Sequence, residues 1–140
     1  MPPALTPALA LDYVRELSAD VRAVLLLGAE GELIAGPERL RADAVALLAT
    51  ETADELEVAT AAGVVCAVRS PAHAIVAVCG RFAIPGVVRI DLRAALAAVE
   101  ARSVGPAEPA VRALGDGAPD RPLELAGERL ISAAQRQFGA

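Results

Sequence analysis

Apolar and polar positions change their spacing several times along the chain, and each change predicts a new element of secondary structure. After Thr6-Pro7, a combination typical of a helix start, apolar residues recur at helical spacing as far as Val21. Continuous apolar runs of strand length follow at 23–27 and 33–35. The predicted order is helix, two strands, helix, three strands, helix, linker and helix. The later elements are expected at 38–53 (helix), 56–60, 64–69 and 74–79 (strands), and 87–102 and 123–138 (helices).

Three glycines lie in the stretch AVLLLGAEGELIAG at 23–36, and their spacing suits either a phosphate-binding loop or a hairpin. A Walker-type loop needs a Lys followed by Ser or Thr, but the chain contains no Lys, and Glu30 and Glu32 would repel phosphate. The dinucleotide fingerprint does not fit either, because a short β-like segment follows Gly31 where that motif has a helix. The pattern therefore predicts two strands joined by a tight Glu30-Gly31 turn, in which glycine supplies the positive φ.

The second predicted helix is apolar on two opposite sides. Leu40, Ala44 and Leu47 form one face, and no charged residue lies between Ala44 and Thr50. A helix that is apolar all round is usually buried on both sides. One side is expected to cover the sheet, and the other is expected to face a second copy of the protein. The second side carries the alanine stripe Ala42, Ala46, Ala49 and Ala53.

The composition indicates a soluble globular domain. Hydrophobic residues make up 55% and charged residues 22% of the 140 positions, which suits a packed core and excludes a disordered acidic tail. The formal net charge is −5 and the thirteen basic residues are dispersed arginines, which argues against nucleic acid and anionic membranes as partners. The first ten residues lack a signal-peptide pattern, and no apolar run approaches the ~20 residues of a membrane span. A cytoplasmic location is therefore expected.

Composition also divides the chain into three parts. Residues 1–103 contain the whole predicted sheet, residues 104–122 contain four prolines and three glycines, and residues 123–140 contain the last helix. Pro and Gly at this density are typical of a linker. The last helix is expected to dock on its own domain, although exchange across a dimer or binding to another protein also suits its partial apolar stripe. The stripe consists of Leu123, Leu130, Ile131, Ala134 and Phe138.

Cys66, Cys79 and His73 are the candidates for nucleophilic or metal chemistry. A Cys–His pair could supply nucleophile and base, but a turn centred on Pro71-Ala72 places both cysteines on one sheet face, where small thiols pack as core. His73 is expected in an exposed turn without an orienting partner. One His and two Cys within hairpin strands lack the paired spacing of a zinc site. We therefore expect no catalytic residue, metal or cofactor.

Three charged pairs remain as candidate sites: Glu30/Glu32, Glu55/Glu57 and Arg89/Arg93. The carboxylate pairs are expected to be solvated, the first beside a turn and the second on an edge strand, where charge hinders edge-to-edge aggregation. The arginines are four residues apart on the third predicted helix, and a solvated face supported by Asp91 and Glu100 is expected there. They are also the candidate contact for an acidic or phosphate-bearing partner.

Two segments resemble the Roadblock / dynein light-chain family. LDYVRELSADVRAVLLLGAEGELIAG, at 11–36, is similar to the opening of that domain: a helix, a short Val-Arg entry, an apolar strand, an acidic-Gly turn and a second strand. HAIVAVCGRFAIPGVVRIDLRAALAAVE, at 73–100, is similar to its last strand, loop and closing helix. In order and spacing the resemblance covers about residues 6–103 and points to a prokaryotic member.

The resemblance implies an α+β fold, a five-stranded antiparallel sheet sandwiched between helices in a profilin-like α/β/α arrangement, with the last helix as an addition. It places the second helix on one face and the first and third on the other. It also implies homodimerisation through the second helix and the third strand, which adds Leu56, Val58 and Thr60 to the alanine stripe as interface residues. Such domains act as dimeric platforms or regulators of small Ras-like GTPases, and some prokaryotic ones stimulate GTP hydrolysis.

Two hypotheses of function stay open at this point. The first is a non-enzymatic, homodimeric regulator or scaffold of a small Ras-like GTPase, which would activate the GTPase, if at all, without catalytic residues of its own. The alternative is a small-molecule-binding sensory module, because profilin-like α/β/α domains also hold ligands. The scarcity of aromatic residues and the single His count against the alternative. An enzyme that uses Cys66 or Cys79 ranks third.

Overall fold

The computed structural model describes residues 6–18, 20–101 and 121–138. The strands in this part are β1 (Val21–Gly28), β2 (Leu33–Ala35), β3 (Glu55–Thr60), β4 (Gly63–Arg69) and β5 (His73–Cys79). The helices are α1 (Pro7–Leu17), α2 (Arg41–Ala49), α3 (Pro85–Glu100) and α4 (Arg121–Phe138), and a 3-10 turn at Glu38–Leu40 precedes α2. The strands form one antiparallel sheet in the order β2-β1-β5-β4-β3. The predicted α+β class and the predicted order of helices and strands are confirmed.

The glycine-rich stretch at 23–36 is a hairpin, as its pattern predicts. The Gly28 N–H donates to the Glu32 carbonyl at 2.8 Å, and the Gly31 N–H donates to the Gly28 carbonyl at 3.0 Å. Gly31 has φ +84, a conformation that glycine adopts without the steric penalty of a side chain. Gly36 has φ +115, and a Cβ there would lie 2.7 Å from the Val24 carbonyl oxygen. Glycine at both positions therefore allows β2 to fold back closely onto β1.

Helix α2 is shorter than its pattern predicts, so Ala53 lies beyond its end at Ala49. The reason is a contact with Arg69, which is distant in sequence. Its guanidinium donates to the Leu48 carbonyl at 3.1 Å, to the Ala53 carbonyl at 2.9 Å and to the Glu51 carbonyl. A longer helix would need the Leu48 carbonyl for its own backbone hydrogen bond, and it would turn the Glu51 and Ala53 carbonyls away from Arg69. The side chain of Arg69 is partly buried, and this burial lowers its pKa from the ordinary value, although nearby carboxylates act in the opposite direction.

The sheet has one hydrophobic core on each face. Helices α1 and α3 cover the face that carries Leu26 of β1, and α2 and α4 cover the face that carries Leu25 and Leu27. Successive strand residues point to opposite faces, so a strand buried on both sides reads as an unbroken apolar run. This explains the continuous run at 23–27. The placement of the second helix opposite the first and third agrees with the family resemblance.

Helix α4 docks on the sheet of its own chain. It begins at Arg121, two residues before its predicted start, while residues 104–120 of the predicted linker and the side chain of Phe138 lie outside the described residues. Helix α4 packs over β3 and β4 and against α2. Of the three possibilities that suit the apolar stripe of the last helix, the structure therefore shows docking on its own domain. The buried side chains of α4 are Ala126, Leu130, Ile131 and Ala134.

Candidate functional site

Strand β3 forms one edge of the sheet, and this edge is long and regular. All six of its residues pair with β4 without a shift in register. The opposite edge, β2, has three residues and a register shift against β1. Short and irregular edges resist pairing with another chain, whereas a regular edge can act as a template for it. Strand β3 is therefore the edge suited to receive an additional strand.

The β3–β4 ladder determines which backbone groups face outward. The Arg69 N–H donates to the Asp54 carbonyl at 2.8 Å, and Thr60 pairs with Gly63 across a two-residue turn. Hydrogen-bonded and non-hydrogen-bonded pairs alternate along an antiparallel ladder, so the even-numbered residues of β3 bond to β4. The N–H and C=O groups of Glu57 and Ala59 consequently point toward the open edge.

Most side chains of β3 point away from the open edge, although its backbone groups are available there. Leu56 and Val58, both expected at a dimer interface, are 5% and 3% exposed because they point toward α4. A Cβ at Gly127 would lie 2.8 Å from a Val58 methyl carbon, so glycine at this position allows α4 to approach β3 closely. Thr60 is half-buried, and its hydroxyl donates to the Gly63 carbonyl at 3.3 Å. Strand β3 can therefore offer a partner its backbone, whereas Leu56 and Val58 already belong to the core of this chain.

The alanine stripe lies mainly on an open surface. Ala42, Ala46 and Ala49 are exposed on the side of α2 opposite the fully buried Ala44, and Ala53 is half-buried beyond the helix end. Helix α4 lies between α2 and the β3 edge, because it packs against α2 and covers β3. The expected interface residues therefore form two separate surfaces, the outer side of α2 and the edge of β3.

The expectation that Glu55 is a solvated edge charge is wrong. Its side chain is 3% exposed and contacts two guanidinium groups of α3. Arg89 Nη1 lies 3.5 Å from Glu55 Oε1, Arg89 Nη2 lies 3.4 Å from Glu57 Oε1, and Arg93 Nη1 contacts Glu55 Oε2. A carboxylate removed from water needs such partners to offset its lost hydration. The arginines therefore do not form a free solvated pair, and instead tie α3 to β3.

The expected neighbours of the arginines, Asp91 and Glu100, contact other residues. The Ser18 hydroxyl donates to Asp91 Oδ2 at 2.5 Å, which joins the end of α1 to α3. The Ser70 hydroxyl donates to Glu100 Oε2 at 2.5 Å, and His73 Nδ1 lies 2.8 Å from the same oxygen. The prediction that His73 has no orienting partner was wrong, because that partner is in α3, distant in sequence.

This Ser70–His73–Glu100 cluster does not have the arrangement of a catalytic triad. In a triad the hydroxyl donates to the imidazole, and the carboxylate holds the other ring nitrogen. Here the hydroxyl donates to the carboxylate and accepts the backbone N–H of His73 at 3.1 Å. The hydroxyl is therefore not activated by the imidazole, and the three groups hold the β4–β5 turn against the end of α3.

Cys66 and Cys79 are buried on the sheet face covered by α1 and α3, as predicted. Burial raises the pKa of each thiol from 9.0 to about 12. Because the thiolate is the nucleophilic form, neither residue is poised for attack at neutral pH. Within the described ranges there is no group of three or more His, Cys, Asp and Glu that could hold a metal ion. No helix in these ranges combines the length and apolar character needed to cross a membrane.

A cleft of about 320 Å³ opens between the β1–β2 turn and the end of α2. Its wall includes the apolar side chains of Leu27, Val45 and Leu48 together with Arg69. The guanidinium of Arg69 already donates to three backbone carbonyls. The guanidinium of Arg69 is therefore engaged by the protein backbone, while Glu30 and His73 also line this cleft.

This arrangement of sheet and helices matches solved structures. A Roadblock/LC7 domain from Streptomyces avermitilis superposes with a TM-score of 0.62 at 10% sequence identity, over 71% of this chain and 98% of the solved one. The chain has the Roadblock/LC7 fold. A second Roadblock/LC7 domain from that organism gives 0.56 at 18% identity, over 64% and 93% of the two chains. MglC from Myxococcus xanthus gives 0.50 at 19% identity, over 67% and 96%. At these identities the similarity concerns the Roadblock/LC7 fold alone, and no protein-family model or curated protein matches the sequence.

Some features of this chain were missed from the sequence although part of a signal for them existed. Glu55 and Glu57 alternate on one side of a strand, while Arg89 and Arg93 are spaced i, i+4 on a helix that packs on that same side. These two patterns of opposite charge point to the cluster only once the placement of α3 on that side of the sheet is known. The hydrogen bonds from Arg69 to backbone carbonyls had no comparable signal, because every residue has a backbone carbonyl and the sequence does not indicate which of them Arg69 contacts.

Proposed function

We propose that the chain is a homodimeric regulator or scaffold of a small Ras-like GTPase and has no catalytic residues of its own. The observation that carries the proposal is the Roadblock/LC7 fold with a long, regular edge at β3. The partner class comes from the family that the sequence resembles. The buried thiols and the Ser70–His73–Glu100 cluster are consistent with a role without catalysis, because none of these groups is set up for nucleophilic attack.

The homodimer is proposed to form at β3. The outward N–H and C=O groups of Glu57 and Ala59 would pair with the same strand of a second copy about a two-fold axis, which joins two sheets into one. The exposed alanine stripe of α2 is the second candidate surface. Because α4 separates the two surfaces, each can be tested without disturbing the other.

Matched variants decide between these surfaces. Ala59→Pro removes an outward N–H but no hydrogen bond to β4, and proline is tolerated on edge strands in such positions. We expect Ala59→Pro to sediment as a monomer with an unchanged circular dichroism spectrum, while Ala46→Arg on α2 and the control Ala8→Arg on α1 remain dimers. A monomeric wild-type protein would refute the homodimer. A dimeric Ala59→Pro together with a monomeric Ala46→Arg would assign the interface to α2 instead.

The partner is tested by GTP turnover. Ras-like GTPases encoded in the same genome are assayed under single-turnover conditions with and without the protein, and binding is measured in parallel by calorimetry. We expect one of them to bind, with hydrolysis either accelerated or unchanged. Binding without acceleration identifies a scaffold, and acceleration identifies an activator that positions the GTPase's own catalytic groups. Neither binding nor acceleration across the set would contradict the proposal.

The alternative, a small-molecule sensory module, has less support. The cleft beside Arg69 is open, and its guanidinium is engaged by the backbone. A metabolite that raises the melting temperature in a concentration-dependent manner would favour this alternative.

A further inference from the structure

Four charged side chains form a cluster beside the open edge of β3, on the sheet face that α3 covers. Glu55 and Glu57 belong to β3, and Arg89 and Arg93 belong to α3. Glu55 has little contact with solvent, but the side chains of Arg89, Glu57 and Arg93 are 25%, 39% and 47% exposed. Three of these four residues, which we call the edge cluster, are therefore accessible to a chain that approaches this edge.

The edge cluster is balanced in charge, but its contacts are not all close. It contains two carboxylates and two guanidinium groups, so its formal charges cancel. Arg89 Nη1 lies 3.5 Å from Glu55 Oε1, and Arg89 Nη2 lies 3.4 Å from Glu57 Oε1. Hydrogen bonds between charged groups are usually shorter, about 2.7–2.9 Å. The guanidinium of Arg89 can therefore accommodate a further carboxylate.

Pairing of β3 with a second β3 brings two edge clusters together. The backbone groups of Glu55, Glu57 and Ala59 face outward, because the even-numbered residues of β3 bond to β4. In a two-fold arrangement, only two registers give both Glu57 and Ala59 a partner within the second strand. One register pairs Glu57 with Glu57 of the second copy, and the other pairs Glu57 with Ala59 of the second copy.

In both registers the two Glu57 side chains are neighbours on the face that α3 covers. Their Cβ atoms would be about 5 Å apart in the first register, where they are directly opposite, and about 7 Å apart in the second, where they are diagonal. Arg89 already contacts Glu57 of its own chain, so both carboxylates come within reach of its guanidinium. Ala59 is exposed and carries only a methyl group, which leaves space beside them.

The arginines change the effect of charge at this edge. Charged side chains on an edge strand normally hinder pairing with another strand, and like charges that face each other across two strands are destabilising. In the paired strands, however, each Glu57 is accompanied by an Arg89, and the joined clusters have no net charge. A two-fold interface requires a surface that is complementary to itself, and the edge cluster meets this requirement.

We propose that the edge cluster makes the pairing of β3 selective for a second copy of this chain. Arg89 of each copy contacts its own Glu57 and also Glu57 of the second copy. A strand of different sequence lacks this arginine, so the carboxylates of β3 repel it or stay unpaired. Glu57 and Arg89 are then the residues that determine specificity at this edge. The inference rests on the homodimer proposed above, and it extends that interface from the backbone to the side chains.

Removal of the Glu57 charge tests this inference in the full chain. Dimer dissociation constants are measured by sedimentation equilibrium for the wild type, for Glu57→Gln and for the control Glu16→Gln, which makes the same change of charge at an exposed residue of α1. Because the two-fold axis doubles the loss, we expect Glu57→Gln to weaken the dimer about threefold to tenfold at low salt. The difference should shrink at high salt, and Glu16→Gln should not weaken the dimer.

A charge reversal tests the selectivity itself. Glu57→Arg adds positive charge from both copies beside the two arginines of α3, so it should dimerise more weakly than Glu57→Gln does. In an equal mixture with the wild type, Glu57 of one copy lies near the introduced arginine of the other. The mixed dimer should therefore exceed its statistical share. Energy transfer between donor-labelled and acceptor-labelled chains measures this fraction, and circular dichroism shows that each variant is folded.

The outcomes separate this inference from the homodimer on which it rests. A monomeric wild type, or an Ala59→Pro variant that remains a dimer, would refute the dimer at β3. If Ala59→Pro disrupts the dimer but Glu57→Gln leaves it unchanged or tightens it, the edge cluster does not select the partner and the dimer at β3 stands. A mixed dimer at its statistical share would overturn the inference as well. If Glu57→Arg does not fold, the comparison of Glu57→Gln with Glu16→Gln decides.

Discussion

The docking of α4 can be tested by truncating one side chain. Leu130 is fully buried among residues of the α2 face, in the same core as Leu56 and Val58. Leu130→Ala removes this packing and leaves a cavity, which for buried leucines costs roughly 2.7–5 kcal/mol. We expect a loss of about 3 kcal/mol in the free energy of unfolding. For a chain of this size the loss corresponds to a decrease of about 10 °C in melting temperature.

The matched control lies on the same helix. Leu125 is 45% exposed, so Leu125→Ala changes helix propensity in the same way but removes little buried surface. We expect it to change the free energy of unfolding by less than about 0.5 kcal/mol. The difference between the two variants therefore isolates the contribution of docking.

The assay is urea unfolding followed by far-ultraviolet circular dichroism, with the slope and midpoint fitted together. A third chain that ends at residue 103 sets the maximum effect, because Leu130→Ala cannot cost more than complete loss of α4. If the two leucine variants agree within about 0.5 kcal/mol, the range of ordinary surface substitutions, α4 is not docked in solution. Leu56 and Val58 would then be free to contact a second copy of the chain.

The remaining predictions concern the buried charge and the thiols. In chemical denaturation, Glu55→Ala should lower the free energy of unfolding by about 2 kcal/mol, less than the loss of a fully buried ion pair because both arginines are partly exposed. Glu57→Ala should lower it by less than about 1 kcal/mol. Equal losses in the two variants would contradict the cluster. Cys66 and Cys79 should react with a thiol reagent at pH 8 only after unfolding. Because folding raises both pKa values from 9.0 to about 12, the folded state retains these protons, so stability should fall as the pH rises above 9. The double variant Cys66→Ala/Cys79→Ala should show a shallower fall, and an unchanged pH profile would contradict this assignment.

Local features of the chain follow from the order of its residues alone. The Thr6-Pro7 helix start, the turn at Gly31 and the strand at 23–27 were predicted because each depends on residues that are neighbours in sequence. The same holds for the common sheet face of Cys66 and Cys79, which follows from strand alternation and a short turn. The order of these elements was sufficient to suggest the fold.

Features that depend on distant residues could not be predicted in this way. Helix α2 ends where it does because Arg69 holds carbonyls 16 to 21 positions away. The environment of Glu55 depends on arginines 34 and 38 positions away, and that of His73 on Glu100, 27 positions away. Such pairings require the sheet order and the helix placement, which no local pattern contains.

The second helix shows the same limit most clearly. Periodicity indicated that α2 has two apolar sides, but it could not indicate what covers each side. The fold places α4 beside α2 and buries Leu56 and Val58 beneath it, while the outer sides of α2 and α3 stay exposed. The physical reason is that hydrophobic burial is non-directional, so any apolar surface that fits can cover a stripe. Packing of the complete chain selects the surface, and the stripes left uncovered are the candidate sites for partners.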